Sequence, residues 1–139
     1  MPLWRIYYHI VWTTKNREPL ITPELETPLF GYIVGKANEL GAIIHAINGT
    51  EDHVHLVISI PPKFAVADVV RQLKGASSHR INEASGKQAA FGWQRGYGVF
   101  SLGGKQLPEA IDYVSRQKEH HQSGTTIEWL ERTDEQDEQ

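Results

Sequence analysis

Residues 51–60 read EDHVHLVISI, and this stretch predicts a β-strand around which the rest of the chain is organised. The even-numbered positions from Val54 to Ile60 are apolar, so one face of the strand is expected in a core. His53 and His55 project from the opposite face, roughly 7 Å apart at their backbones. Two imidazoles held in this way can converge on one metal ion. An ordinary pair of half-exposed histidines on a strand fits the same pattern.

A second stretch, LPEAIDYVSRQKEHH at residues 107–121, predicts a helix. Pro108 suits its first turn, and Gly124 can end it. Tyr113 and Gln117 are four residues apart and therefore lie one turn above the other on the same face. This face would present a hydroxyl group and an amide oxygen together. The alternative is a partly buried tyrosine that tethers its hydroxyl to a neighbour, beside a solvated glutamine.

Composition predicts one domain followed by an acidic tail. The chain has 139 residues, enough for one core, and no cysteine, which is compatible with an intracellular location. Residues 128–139 hold six acidic residues and one arginine, a net charge of −5. Residues 1–127 hold 13 Lys and Arg against 11 Asp and Glu, which permits nucleic-acid binding without requiring it. We expect a domain over 1–127, a disordered tail over 128–139 and no membrane span.

The order of predicted elements indicates the fold class. Strands are expected at 4–14, 42–48, 53–60 and 93–102, and helices at 22–40, 65–78 and 107–121. A β-α-β-β-α-β order is typical of an α+β ferredoxin-like or RRM-like sandwich, in which helices cover one face of an antiparallel sheet. The histidine pair is then expected on the other face, left open for a nucleic-acid strand.

Several basic and aromatic side chains are candidates for contact with a nucleic acid. Cations position a phosphate backbone, and aromatic rings stack on unpaired bases. The candidates are Lys15, Arg17, Arg71, Lys74, Arg80, Arg95 and Tyr97. Solvated charges and ordinary ring packing explain the same residues. Asp52 directly precedes His53 and can orient an imidazole as a hydrogen-bond acceptor, although turn chemistry is the simpler interpretation.

Together these motifs resemble those of the single-tyrosine HUH transposases. His53–His55 is a His-hydrophobic-His motif, and Tyr113–Gln117 resembles the Tyr-x-x-x-Gln helix of that family. Segments 8–17, 72–78 and 93–101 are similar to the family's first strand, central helix and last strand, so the similarity covers about residues 4–122. The family contains the small TnpA-like enzymes of bacterial insertion sequences, with the REP-associated tyrosine transposases as close relatives.

The resemblance implies a transposase that cleaves and rejoins single-stranded DNA at hairpin ends. It implies that His53, His55 and Gln117 coordinate a divalent ion, Mg²⁺ or Mn²⁺. It also implies that Tyr113 is the nucleophile and forms a 5′-phosphotyrosine link. A cytoplasmic homodimer from a bacterium or archaeon is expected, in which the tyrosine helix can cross to the histidines of the partner subunit.

Other functions fit parts of the same sequence. A domesticated host protein that processes REP-type hairpins would share every catalytic residue. A nonenzymatic module of this fold that binds single-stranded nucleic acid would need neither Tyr113 nor Gln117. A histidine-triad hydrolase would need another histidine at position 57, where Val57 stands.

Overall fold

The computed structural model describes residues 3–86 and 90–133. Its strands are β1 (Tyr7–Thr13), β2 (Ile43–Gly49), β3 (His53–Ser59) and β4 (Gly98–Leu102), and its helices are α1 (Pro23–Glu39), α2 (Val66–Ser85), α3 (Leu107–Ser115), α4 (Gln117–Ser123) and α5 (Glu128–Glu131), with a short 3₁₀ turn at Lys15–Arg17. The strands form one sheet in the order β2-β3-β1-β4, and every neighbouring pair is antiparallel. The predicted ferredoxin-like α+β architecture is therefore confirmed. Within the described ranges, no helix has the length and apolar character to cross a membrane.

The first layer of helices covers one face of the sheet. In α1, the buried residues Leu29, Ile33 and Ala37 recur at intervals of four, which places them on one side of the helix. Pro23 occupies the first turn, and Gly41 follows the helix in a left-handed conformation with φ of +77°. Helix α2 contributes its own apolar side, and both helices pack on the even-numbered side chains of β3 in the main core.

The second face of the sheet is also covered. Val57 on β3 packs in a separate apolar cluster with residues of the C-terminal helices, namely Ala110, Tyr113, Val114 and Leu130. As a result His53 is only 2% exposed and His55 is fully buried. The histidines do lie on the face opposite α1 and α2, but the prediction that this face is open is wrong. The apolar side of α3 needs burial, and the second face of the sheet provides it.

The start of the last strand and the boundary of the tail differ from the sequence-based prediction. The last strand begins at Gly98 rather than at residue 93, because Gly96 has a φ of +92° that interrupts an extended chain. Trp93 keeps a single bridge to Thr14. The tail boundary at residue 127 is also wrong, since Glu128–Glu131 forms α5 and Leu130 is buried. Residues 134–139 of the predicted disordered tail lie outside the described part of the chain.

The turn between β2 and β3 sets the start of the histidine strand and depends on one glycine. A Cβ atom at Gly49 would lie 2.1 Å from the backbone oxygen of His53. We predict that Gly49→Ala lowers the free energy of unfolding by about 1–3 kcal/mol, because the backbone must move to relieve this overlap. Thermal or urea unfolding measures the change.

Gly75→Ala is the matched control for this substitution. Gly75 lies in α2, and a Cβ atom there would meet no atom within 4 Å. Alanine should therefore stabilise the helix by roughly 0.5–1 kcal/mol. A Gly49→Ala protein as stable as the unsubstituted chain would contradict the proposed role of the turn.

Candidate active site

Asp52 orients the first histidine of the pair. The N–H at Nδ1 of His53 donates to Oδ1 of Asp52 over 2.7 Å, and Thr50 Oγ1 lies 2.9 Å from the same nitrogen. Nε2 of His53 therefore points away from the turn, and it is buried without a hydrogen-bond partner. Burial opposes the charged form of His53, but the neighbouring carboxylates of Glu131 and Asp52 outweigh it and raise its pKa. A carboxylate behind an imidazole is a common way to direct the other ring nitrogen at a metal.

His9 supports the second histidine from the neighbouring strand. Nε2 of His9 lies 2.7 Å from Nδ1 of His55, and both side chains are fully buried. Burial lowers the pKa of His9 to about 3 and that of His55 to about 4. Both rings are therefore neutral near pH 7, and one N–H is shared between these two nitrogens. Nε2 of His55 lies 3.0 Å from Oε1 of Glu131, so it donates to that carboxylate in the tautomer in which Nδ1 accepts from His9.

The predicted single helix over 107–121 is broken at Arg116, which has φ of −109° and ψ of 24°. Nδ2 of Asn48 donates to the backbone oxygen of Ser115 over 3.0 Å. This oxygen is the acceptor that a continuous helix would offer to the N–H four residues further on. The break does not separate the two predicted site residues, since Tyr113 and Gln117 are both buried and both approach the same carboxylate.

That carboxylate belongs to Glu131 on α5. Its Oε1 atom lies 3.0 Å from Nε2 of His55, 3.3 Å from Nε2 of His53 and 3.1 Å from Nε2 of His121. Its Oε2 atom accepts a hydrogen bond of 2.5 Å from the Tyr113 hydroxyl. Burial opposes ionisation of Glu131, but the imidazoles of His53 and His55 hold its pKa well below its usual range. The carboxylate is therefore ionised at neutral pH.

The Tyr113 hydroxyl is held from two sides. It donates to Glu131, and it accepts a hydrogen bond of 2.9 Å from the backbone N–H of Ile127. The ring of His120 stacks on the ring of Tyr113 with 4.6 Å between centroids. Burial, followed by the hydrogen bond to Glu131, raises the pKa of Tyr113 to about 12. The phenol is thus protonated at neutral pH, and its proton points at a carboxylate oxygen.

His121 connects the cluster to solvent. Its Nε2 atom lies 3.1 Å from Oε1 of Gln117, as well as 3.1 Å from Glu131. A cleft of about 420 Å³ opens on this side of the cluster, and its lining consists of Ile21, Pro23, Glu26, Thr50, Glu51, Lys118, His121 and Gln122. Two of its lining residues contact the cluster, since His121 pairs with Glu131 and Thr50 lies 2.9 Å from Nδ1 of His53.

The predicted nucleic-acid contacts lie in three places: the 3₁₀ turn after β1, helix α2 and the segment before β4. Lys15 and Arg17 are exposed beside β1, and Arg17 lies 3.9 Å from Asp52, next to His53. Exposed Arg95 is in the segment before β4. Arg71, Lys74 and Arg80 belong to α2, in the helical layer across the sheet from the histidines.

Lys74, Arg80 and Tyr97 also contact other residues of the fold. Nζ of Lys74 donates to the backbone oxygens of Gln94 and Gly96, at 2.7 and 3.0 Å. The guanidinium of Arg80 lies 5.6 Å from the ring centre of Tyr32. Tyr97 packs against the main core. Lys74, Arg80 and Tyr97 therefore each have a structural role in the fold, whether or not they contact a nucleic acid.

Three residues of the cluster were not predicted from the sequence: His9, His121 and Glu131. His9 alternates with Val11 on β1, the strand that pairs with β3, and this pairing was a usable signal. His121 follows Gln117 by four residues, which is also a usable signal within one helix. Glu131 had none, because its position depends on how the chain returns after Gly124.

Comparisons with known proteins identify the family of the chain. Residues 2–117 match the family model described as "Transposase IS200 like". The chain is 32% identical over 131 residues to the transposase of insertion sequence IS200 from Salmonella typhimurium, covering 89% of this chain and 84% of that protein. It is 27% identical over 120 residues to the ISDra2 transposase TnpA from Deinococcus radiodurans, covering 83% and 86%.

A solved structure supports the fold independently. The structure of a REP-associated tyrosine transposase bound to a REP hairpin superposes with a TM-score of 0.64, at 16% identity, over 91% of this chain and 76% of that one. The likeness in fold accompanies a family match that spans most of the chain. This chain therefore belongs to the family of IS200-like transposases.

Proposed function

We propose that the protein cleaves and rejoins single-stranded DNA at hairpin ends, with Tyr113 as nucleophile and a divalent metal ion as cofactor. One observation carries the proposal: the Tyr113 hydroxyl and the two imidazoles of β3 meet at a single carboxylate within one chain. A phenol buried only for packing would not require two imidazoles and a carboxylate beside it.

The residues present fit a divalent cation. Nε2 of His53 is a buried nitrogen without a hydrogen-bond partner, and it points at the same place as Nε2 of His55. A buried polar atom normally has a partner, and a cation at this position would be the partner of the His53 nitrogen. His53, His55 and Gln117 would hold the cation. When bound, it supplies positive charge that polarises the scissile phosphodiester and offsets charge in the transition state.

The side chains of this protein account for the remaining steps. The Tyr113 oxygen attacks phosphorus, and its proton leaves towards Oε2 of Glu131, the acceptor that it already contacts. The new bond joins the Tyr113 oxygen to the 5′-phosphate, the bond from phosphorus to the 3′-oxygen breaks, and the proton passes on from Glu131 so that the leaving oxygen becomes a 3′-hydroxyl. In the reverse step, a 3′-hydroxyl from another end attacks the same phosphorus and releases Tyr113. The phosphotyrosine link conserves the bond energy, so joining requires no nucleotide.

The structure brings Tyr113 to the histidines of its own chain. A homodimer that exchanges tyrosine helices remains a prediction from the family resemblance, and Gly103–Gly104 before α3 would be its joint. The solved relative that binds a REP hairpin supports hairpin DNA as the substrate class. A domesticated hairpin-processing protein would use the same site and the same chemistry.

We predict that Tyr113→Phe abolishes covalent attachment to single-stranded hairpin DNA, because the attacking oxygen is removed. The protein is incubated with labelled hairpin DNA and Mg²⁺ or Mn²⁺, and adducts are separated on a denaturing gel. Tyr32→Phe makes the same chemical change on α1, across the sheet, and should still give adducts. An adduct formed by the Tyr113→Phe protein would exclude Tyr113 as the nucleophile, and binding without any adduct in the parent would favour the nonenzymatic alternative.

We predict that His55→Asn lowers the rate of metal-dependent cleavage at least about 10- to 100-fold, because an imidazole aimed at the cation is lost. His79→Asn is the control, since His79 is exposed on α2 and pairs with Glu83. Thermal unfolding of both proteins separates loss of chemistry from loss of fold. Cleavage by His55→Asn at the parent rate, in reactions that a chelator stops, would rule out His55 as a ligand.

A further inference from the structure

We infer that Glu131 and His121 are ligands of the same divalent cation, so that the C-terminal segment completes the metal site. The inference rests on the proposed function, which places the cation at His53 and His55. It extends that ligand set with one carboxylate and one imidazole. Both residues come from helices that follow the Tyr113 helix in the chain.

The distances among the donor atoms support this ligand set. Oε1 of Glu131 lies between 3.0 and 3.3 Å from three imidazole nitrogens, those of His53, His55 and His121. One donor atom from each of the four residues falls within 4.8 Å of the others. Ligand atoms that bind one ion at about 2.0–2.2 Å and at right angles are about 3 Å apart. The side chains are thus spaced as ligands of a common ion are spaced.

The unpartnered nitrogen of His53 is a second, independent observation. It is buried and lies 3.3 Å from Oε1 of Glu131, yet it makes no hydrogen bond with that oxygen. The other ring nitrogen already donates to Asp52. Oε1 of Glu131 is already hydrogen-bonded to His55 and His121, so a cation at this point would supply the partner that the nitrogen of His53 lacks.

The chemistry of the added carboxylate also favours the inference. Two imidazoles and one amide oxygen are neutral, and imidazole alone suits zinc or copper better than Mg²⁺ or Mn²⁺. Carboxylate oxygen is the ligand type that Mg²⁺ and Mn²⁺ prefer. With Glu131 included, the donor set is mixed in nitrogen and oxygen and carries one negative charge, which suits Mn²⁺ well.

The segment that carries Glu131 is seated by specific contacts. Leu130 is buried in the second apolar cluster, and the Ile127 N–H donates to Tyr113. The backbone of Arg132 crosses β4 so closely that a Cβ atom at Gly98 would lie 1.9 Å from the Arg132 oxygen. The glycine at position 98 thus makes room for the segment. These contacts hold Glu131 at the cluster before a cation binds.

The test measures Mn²⁺ binding to the full chain in the absence of DNA. The electron paramagnetic resonance signal of the free ion reports how much Mn²⁺ is bound. We expect Glu131→Gln to weaken Mn²⁺ binding about 10-fold or more, because one charged ligand is lost. Glu128→Gln is the matched control on the same short helix, and its exposed side chain should leave binding within about twofold of the parent. The rise in melting temperature that Mn²⁺ produces should shrink in Glu131→Gln only.

A second variant covers the case in which Glu131→Gln displaces α5. His121→Asn changes a ligand on α4 and should also weaken Mn²⁺ binding, whereas His79→Asn on α2 should not. Equal or tighter Mn²⁺ binding by both Glu131→Gln and His121→Asn would overturn the inference, and tighter binding would identify Glu131 as a competitor of the cation. If Tyr113-dependent adducts still form in that case, the proposed function stands. No Mn²⁺ binding by the parent would overturn this inference and the metal requirement together.

Discussion

The two-residue alternation of β3 is the constraint on which the site depends. This strand lies inside the sheet, with β1 on one side and β2 on the other. Its even-numbered residues pack in the main core. Because side chains alternate along a strand, His53 and His55 must project from the opposite face. A register slip of one residue would place imidazoles in the core and isoleucine at the site, so core packing and the site are specified by the same pairing. The histidines are therefore held by a rigid element rather than by a loop.

Around this strand the protein assembles one carboxylate among several imidazole rings. An ionised carboxylate is costly to bury unless it is paired, and Glu131 is paired with three imidazoles and a phenol. The same contacts attach the C-terminal segment to the sheet. In the proposed mechanism this carboxylate joins the nucleophile to the cation, because one oxygen faces Tyr113 and the other faces the histidines.

Most of the architecture was predictable, and two failures near the site share one cause. Strand β3, helix α1 and the order of elements follow from apolar periods and from signals such as Pro23 and Gly41, which involve neighbouring residues. The break at Arg116 was not predictable, because it depends on Asn48, which donates to the Ser115 oxygen from a distant strand. The covering of the second face was missed for the same reason. That face is buried by α3, α4 and α5. The sequence of β3 gives no sign that these helices will pack on it.

The sequence by itself determined the histidine pair, the spacing of Tyr113 and Gln117, and the family to which they belong, since each lies within a short window of the chain. Only the tertiary structure decided that Glu131 joins them, and it also set the contacts of His9 and His121. Glu131 is 76 residues from His55, and His9 is 46 residues from it. Local propensity carries no information on contacts across such separations. They arise when burial of the α3 stripe and Leu130 brings the end of the chain back onto the sheet.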